Sequence, residues 1–231
     1  PPRSTLFPYT TLFRSFVQSA DAHEPIFTPG AHVHSKDGHE ISIHYNRDKK
    51  SGAGENETEQ ELALEYEYGV TASWTVKAEI PLVNKSLNAN ETTGIGDVVL
   101  ATKYRFIRVD LPGEQYSTTA LFQIKLPTGD DDKNPLLGSG STDFLGGLLH
   151  GLESRRWYYN TAARYRLNTE GGGGLEKGDK VLLDIVGGVR PALTGYKEPD
   201  TVLFLELNFE NSERDTDRKS TRLNSSHTSI S

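Results

Sequence analysis

The chain has 231 residues, no cysteine, and 25 basic against 32 acidic side chains, which gives a formal net charge of −7 at pH 7. The lack of cysteine excludes a disulfide scaffold and thiol chemistry. The acidic balance argues against nucleic acid as a partner, because a phosphate backbone is bound by basic surfaces.

Both ends of the sequence look foreign to the protein. Residues 1–15 and 216–231 match common sequencing-adapter DNA translated in frame, so we interpret them as artefacts and leave them out of the fold reasoning. We expect no strand in residues 1–15 or 217–231. Natural disordered tails are the alternative. Residues 16–22 resemble the tail of a secretory signal peptide, because two of their alanines form an A-x-A pattern. We therefore expect one domain over 23–215, cut short at its C-terminal end.

A proline- and glycine-rich segment, residues 23–30, opens that domain and predicts an extended segment or a plug-like strap. The rest alternates between apolar and polar residues with a period of two, which predicts antiparallel strands and no helix. The predicted strands are Glu40–Arg47, Glu61–Tyr68, Trp74–Val83, Asp97–Phe106, Thr118–Leu126, Asp143–Leu152, Trp157–Leu167, Asp179–Arg190 and Thr201–Glu210.

The predicted connections alternate in length. They are short or moderate after Tyr68, Phe106, Glu153 and Arg190, and longer and polar after Val83, Leu126 and Leu167. Residues 48–57 are also expected to form a polar connection. Aromatic residues lie beside the short turns, as in the interfacial girdle of a membrane barrel. They are Tyr66, Tyr68, Trp74, Tyr104, Phe106, Trp157 and Tyr159.

The two faces of the predicted strands differ in chemistry. One face is apolar and is predicted to point away from the barrel axis at Leu62, Leu64, Trp74, Val76, Leu100, Phe122, Ile124, Leu183, Ile185, Leu205 and Leu207. The other face is charged. A soluble sandwich would have to bury these charges, whereas a barrel wall can turn them toward a wet interior. The predicted lumen-lining residues are Glu61, Glu65, Glu67, Lys77, Glu79, Lys103, Arg105, Lys125, Arg164, Arg166, Lys180, Asp184 and Glu206.

Six short motifs carry a family resemblance. They are His23-Glu-Pro-Ile-Phe27, Gly94-Ile-Gly-Asp97, Lys103-Tyr-Arg-Phe106, Lys125-Leu-Pro-Thr-Gly-Asp130, Gly138-Ser-Gly-Ser-Thr-Asp143 and Tyr165-Arg-Leu-Asn-Thr-Glu170. With them, the chain resembles bacterial outer-membrane barrels classed as transporters or with the MetA pathway of phenol degradation. The resemblance implies an all-β, antiparallel up-and-down transmembrane β-barrel in the outer membrane of a Gram-negative cell.

The functional expectation that follows is a passive conduit for small solutes, aromatic or hydrophobic ones among them, and not an enzyme. Its expected partners are outer-membrane lipid, lipopolysaccharide and the solute, with no cofactor and no nucleic acid. Two alternatives stay open. One is a structural or metal-sequestering barrel without conductance, and the other is a soluble periplasmic barrel that binds a ligand.

Two groups of residues could hold metal ions. A freed terminal amine at His23 could chelate copper or zinc, with His32 and His34 adding imidazoles. The carboxylates of residues 130–132 could bind calcium or contact lipopolysaccharide through bridging cations, although a solvated acidic loop explains them as well.

A hydrolase triad is the remaining catalytic hypothesis. His150 could in principle join Ser139 or Ser141 and Asp143. The alternation places His150 and Asp143 on opposite faces, and no G-x-S-x-G elbow is present. We therefore predict no catalytic residue.

Overall fold

The computed structural model describes residues 25, 27–52, 55–171, 175–193, 201–213 and 216–217. All of its elements are β-strands: β1 (His39–Gly52), β2 (Glu55–Thr71), β3 (Trp74–Leu87), β4 (Asn90–Ile95), β5 (Val99–Leu111), β6 (Glu114–Lys125), β7 (Asp143–Ser154), β8 (Trp157–Leu167), β9 (Leu175–Glu176), β10 (Lys180–Val189), β11 (Leu203–Ser212) and β12 (Thr216–Asp217). Within the described part of the chain, no helix is long and apolar enough to cross a membrane.

The main sheet is antiparallel and its strands follow the chain in order. The path is β1-β2-β3-β5-β6-β7-β8-β10-β11, and β4 pairs with the far end of β3. Since each hairpin returns beside its predecessor, the topology is the up-and-down meander of a barrel wall. The predicted all-β, antiparallel up-and-down class is confirmed.

The sheet curves around a segment that crosses its concave face. This segment, residues 27–38, is called the strap below. The Thr28 N–H donates to Glu206 on β11 at 3.1 Å, and the His34 N–H donates to Thr75 on β3 at 2.9 Å. Six extended residues reach at most about 22 Å, whereas the strand steps from β11 to β3 cover about 29 Å along a flat sheet. The wall is therefore bent into a half-barrel.

Both faces of the wall follow the predicted alternation. The convex face leaves large apolar side chains exposed, from 41% at Leu100 to 70% at Ile41. The concave face buries its side chains beneath the strap, and Leu149 is 0% exposed there. The core of the protein thus lies between strap and sheet, and not between two sheets.

Two predicted connections are in fact paired strands. The polar connection expected over 48–57 is wrong, because β1 and β2 stay paired as far as Gly52 and Glu55. Residues 90–95, expected within a loop, pair with β3. Both faces of these extensions are polar, so they carry no alternation signal. Lys85 on β3 joins the outer ends of β2 and β3 by ion pairs to Glu57 at 2.9 Å and Glu59 at 3.3 Å.

Strand β5 runs past its predicted end because it contains a bulge. Arg105 pairs with Thr119 and Ile107 with Thr118, so Phe106 is the extra residue. A bulge puts two successive side chains on one face. Phe106 and Ile107 are accordingly both exposed, and the hairpin turns only at Gly113, whose φ of 79° suits a residue without a Cβ.

The C-terminal end departs from the expectation at one residue. We expected no strand from 217 onward, and this is wrong at Asp217, which pairs with Leu175 in a small sheet apart from the main one. Ladder hydrogen bonds need only backbone groups, so two residues of any type can pair in this way. Residues 1–15 and 218–231 lie outside the described residues.

Candidate functional site

The strap is held at its β11 end mainly through its own backbone. The N–H groups of Phe27 and Thr28 both donate to Glu206 Oε2, at 3.0 and 3.1 Å. Asn208 Nδ2 donates to the Thr28 hydroxyl at 3.2 Å. One carboxylate that accepts two amide N–H groups fixes the backbone without asking for a particular side chain. The wall supplies the polar groups that the extended strap cannot supply itself.

An apolar floor lies under the middle of the strap. Ala31 packs into a cluster with Leu121, Leu145, Leu149 and Ala162 on β6, β7 and β8. Its carbonyl oxygen accepts a hydrogen bond of 2.6 Å from the hydroxyl of Thr119, which is fully buried. The strap thus contacts the sheet where the side chains of the concave face are uncharged.

The other end of the strap is anchored by a turn. The Asp37 N–H donates to the Gly69 carbonyl at 2.8 Å, and the Gly69 N–H donates to the Gly38 carbonyl at 2.9 Å. A Cβ on Gly69 would overlap the carbonyl oxygen of Ser35, so only glycine allows this approach. Just before the turn, His34 Nε2 lies 3.0 Å from Glu67. This end of the strap is fixed to β2.

A chain of ion pairs covers the concave face of β2 and β3. Lys77 Nζ lies 2.5 Å from Glu65 and 3.6 Å from Glu79. His44 Nε2 lies 3.6 Å from the same Glu65 oxygen. Lys77 reaches Glu65 from the next strand across the sheet, where neighbouring side chains lie close enough to interact. The charges of this wall are largely neutralised by one another.

A second buried ion pair supports the strap from β8 and β10. Arg164 pairs with Asp184, which is 3% exposed. Asn208 Nδ2 also donates to Asp184, at 2.7 Å, and the same amide group reaches Thr28. The carboxylate of Asp184 is therefore fully engaged, and the network links the wall to the strap.

The long loops meet in a polar cluster at one end of the sheet. Asp97 accepts hydrogen bonds from the Ser139 N–H at 2.8 Å and from the Gly129 N–H at 3.0 Å. Lys125 pairs with Asp143 and donates to Ser139. Three of the motifs that carry the family resemblance therefore form one structural unit that closes this end of the wall.

Asp143 shows how tightly this loop cluster is bound. Burial by itself would raise the pKa of its carboxyl. The hydrogen bond and charge of Lys125, together with the Thr169 N–H, outweigh burial and hold the pKa of Asp143 below its ordinary value. The cluster therefore favours the ionised carboxylate and a loop end that stays closed.

The strap separates two cavities. On the long-loop side, a cavity of about 330 Å³ lies between Pro25 and residues 27–30 on one side and the inner faces of β1, β2, β3, β5 and β6 on the other, and Arg164 of β8 also lines it. On the short-turn side, a second one of about 370 Å³ lies between the β5–β6 and β7–β8 turns. Between them, beside Ala31 and His32, only about 10 Å³ is left. That volume holds one water molecule at most, so the strap interrupts the path.

The predicted lumen-lining residues fall into three groups. Seven line the cavity on the long-loop side: Glu61, Glu65, Glu67, Lys77, Glu79, Lys103 and Arg164. Asp184 and Glu206 hold the strap and its support, as described above. The others lie nearer the sheet ends: Lys125 in the loop cluster, Lys180 paired with Glu210 at 2.6 Å, Arg166 opposite buried Leu145, and Arg105 bonded to the Ala72 carbonyl. The lining of a complete lumen stays a prediction.

The predicted metal sites are not assembled in the described part of the chain. The rings of His32 and His34 lie 6.2 Å apart, edge to face, and His23 lies outside the described residues. In the ranges that the structure covers, no three His, Cys, Asp or Glu side chains could hold an ion together. In the acidic loop, Asp130 pairs with Lys133 at 2.5 Å.

The members of the hypothetical hydrolase triad lie apart. His150 is exposed on the convex face and contacts the Thr118 hydroxyl at 3.0 Å. Ser139 is engaged with Lys125 and Asp97 in the loop cluster. This arrangement agrees with the alternation, which places His150 and Asp143 on opposite faces.

The residues that seat the strap are the ones that sequence reasoning missed. Thr28, Ala31, Thr119 and Asn208 were not singled out. A signal existed for the floor, because Leu145 and Leu149 share the parity of the inward face and break its charged pattern. An uncharged stretch on an otherwise charged face marks the place where another segment docks.

A known protein family matches the part of the chain that forms this wall and the loop motifs that close it. A family model described as "Putative MetA-pathway of phenol degradation" matches residues 45–197, about two thirds of the chain. The chain belongs to this family. No curated protein matches it. The MetA-family description relates the barrel to a pathway of phenol degradation, and it confirms the family that the sequence motifs predict.

Proposed function

We propose that the protein is an outer-membrane barrel whose concave face forms a passive path for small solutes. The observation that carries the proposal is the sidedness of the wall. Leu205 and Ile43 are 69% and 58% exposed on the convex face, while Lys77, Glu65 and their neighbours pair on the concave face. A soluble barrel would place these two classes the other way round.

The convex face supports lipid as the partner. Its exposed apolar residues continue from β1 to β11 and form a belt far larger than a soluble monomer normally exposes. Trp74, Tyr104, Trp157 and Tyr159 are exposed on the same face, as expected for rings at the headgroup level. We assign this belt to the hydrocarbon core of the outer membrane, with lipopolysaccharide on the side of the long polar strands.

The concave face supports a solute path. Two cavities follow one another along it, and the chemistry of the one on the long-loop side is mixed, with ion pairs on β2 and β3 and apolar groups at Ala101 and Leu121. Such a lining suits small molecules that are partly polar and partly aromatic. The path needs no catalytic group, and we propose that the protein is not an enzyme. The family description adds compounds related to phenol as candidate solutes.

The strap also favours a second candidate function. Because only about 10 Å³ remains beside Ala31, the path is closed in this conformation. A barrel whose strap never moves would be a structural or metal-sequestering component of the membrane and not a conduit. The two candidates therefore differ in one property, which is whether residues 27–34 leave the floor.

A disulfide can test that property directly, because the chain has no cysteine of its own. A Cβ built on Gly151 lies 3.4 Å from the Cβ of Ala31, close to the separation found in disulfides. The variant Ala31→Cys/Gly151→Cys is reconstituted in liposomes, and swelling in an isotonic solution of a small sugar is followed before and after reduction. The two single-cysteine variants serve as controls.

The conduit predicts several-fold faster swelling after reduction, and no effect of reduction on the single variants. Equal swelling in both states would show that the strap is not in the path. Absence of swelling in every state, with the protein floating with the liposomes, would favour the structural barrel. Failure to float with liposomes would refute the membrane assignment and favour a soluble ligand-binding barrel.

A further inference from the structure

Lys103 is unusual among the cations of the cavity on the long-loop side. It lies on the concave face of β5 and lines that cavity with Lys77 and Arg164. Lys77 and Arg164 each have a carboxylate partner. Lys103 makes no hydrogen bond and no ion pair within 4.0 Å with any described residue, although Glu65 is near enough to influence it. A half-buried ammonium without a counter-ion is unfavourable unless something else fills that place.

The carboxylates on β2 and β3 do not supply a counter-ion for Lys103. Glu65 is already engaged by Lys77 and His44, and Glu67 by His34. Glu79 shares Lys77 as well. Three of the four glutamates that line the cavity are therefore engaged by cations of their own wall. The fourth, Glu61, accepts a hydrogen bond from Asn46 at 3.2 Å, and none of the four lies within ion-pair distance of Lys103.

Arg164 offers a second unsatisfied donor to the same cavity. Its terminal nitrogen pairs with Asp184, but its Nε is buried and has no hydrogen-bond partner. The strand pairings place Lys103, Leu121, Gly147 and Arg164 side by side in one row across β5 to β8. A Cβ on Gly147 would lie 2.7 Å from Arg164 Cγ, so the bare glycine gives the arginine side chain room to lie along the row.

An apolar surface lies between these two basic groups. Leu121 is 8% exposed and occupies the row between them, and Ala101 lies one position further along. Pro29 of the strap covers them from the other side. The cavity thus combines two unsatisfied basic donors with an apolar slot, and its volume of about 330 Å³ is large enough for a small organic molecule.

We propose that this cavity binds a small organic carboxylate with an apolar body. The carboxylate takes the ammonium of Lys103 and the Nε of Arg164, and the apolar body lies on Leu121 beneath the strap. An inorganic anion would leave the apolar slot unfilled. This assignment names a solute class for the path proposed above and rests on it for its biological meaning. Binding itself requires no passage through a membrane.

The test is calorimetric titration of the purified full chain in detergent micelles with three probes. Benzoate has both the charge and the ring, benzyl alcohol lacks the charge, and acetate lacks the ring. We expect benzoate to bind at least tenfold more tightly than either of the others. The variants are Lys103→Gln and, as a matched control, Lys133→Gln, which removes an exposed loop lysine outside the cavity.

Lys103→Gln should weaken benzoate roughly ten- to hundredfold, as expected for the loss of a charge-assisted hydrogen bond, and should leave benzyl alcohol almost unchanged. Lys133→Gln should change neither. Benzoate binding no tighter than benzyl alcohol, or an equal loss in both variants while the circular-dichroism spectra stay native, would overturn the site. Swelling of liposomes without benzoate binding would refute this site alone, and benzoate binding without swelling would refute the conduit alone.

Discussion

Two regions of the concave face differ in how their inward side chains are stabilised. On β2 and β3 the inward side chains are charged and neutralise one another around Lys77. Under the middle of the strap, at Leu121, Leu145, Leu149 and Ala162 of β6 to β8, they are apolar and pack against Ala31. The charged region borders open space, whereas the apolar region is covered. The difference fits the proposed function, in which the first region faces the solute path and the second one holds the strap in place.

The largest expected effect breaks the apolar region. Leu149→Asp would place an unpaired carboxylate where the side chain is 0% exposed, and we expect a loss of about 3–5 kcal/mol in the free energy of unfolding. Denaturant titration in lipid vesicles measures it. Leu149→Met, which keeps the volume, should cost less than about 1.5 kcal/mol. Similar losses in the two variants would show that the site is sensitive to shape and not to charge.

The next prediction concerns the convex face of the wall. Leu100→Arg should destabilise the membrane-inserted protein by about 2–4 kcal/mol if this position lies near the bilayer midplane. Thr161→Arg, on the exposed face of β8, is the companion variant. It should also lower the free energy of unfolding, by an amount that depends on its depth in the bilayer. Unfolding free energies unchanged by both substitutions would mean that the convex face meets water.

A smaller effect is expected from the charged region. Lys77→Met removes the cation between Glu65 and Glu79 and should cost about 1–3 kcal/mol, because two carboxylates are left facing each other. Glu65→Gln in the same background should restore part of the loss. A double-mutant cycle from denaturant titrations gives the coupling. Strictly additive losses would contradict an ion-paired wall.

The smallest expected effect concerns the attachment of the strap. Glu206→Ala removes the acceptor of the Phe27 and Thr28 N–H groups, which is worth about 1–2 kcal/mol. Hydrogen exchange at these two amides should become roughly tenfold faster, while the amides of β7 keep their rates. Glu210→Ala, at the far end of β11, is the control. Unchanged exchange at Phe27 and Thr28 would show that Glu206 does not hold this end of the strap.

Much of the wall follows from alternation alone. Strand β8 begins and ends as predicted, and β7 and β10 differ from prediction by two residues or fewer at either end. The period-two pattern is clearest in β8, where Trp157, Tyr159 and Tyr165 share one face and Asn160, Arg164 and Arg166 share the other. The pattern fails at β4 and at the outer ends of β1 and β2, where both faces are polar and only backbone pairing defines the strand.

The site was only partly predictable for a different reason. Parity places Lys103 and Arg164 on the concave face, but it does not show which cations have counter-ions. That depends on the register between strands, which brings Lys77 opposite Glu67 and next to Glu65. The path of the strap was equally hidden, because Glu206 and Phe27 are 179 residues apart and meet only when the sheet is bent.

In the proposed orientation, successive residues of β6 face the lipid and the solute path in turn. Single cysteines at Leu121, Phe122 and Gln123 of β6 test it, each carrying a small fluorophore in vesicles of brominated lipid. We expect strong quenching at Phe122, which is 49% exposed on the convex face, and weak quenching at its two neighbours. Equal quenching at all three positions, or stronger quenching at Leu121 and Gln123, would contradict it.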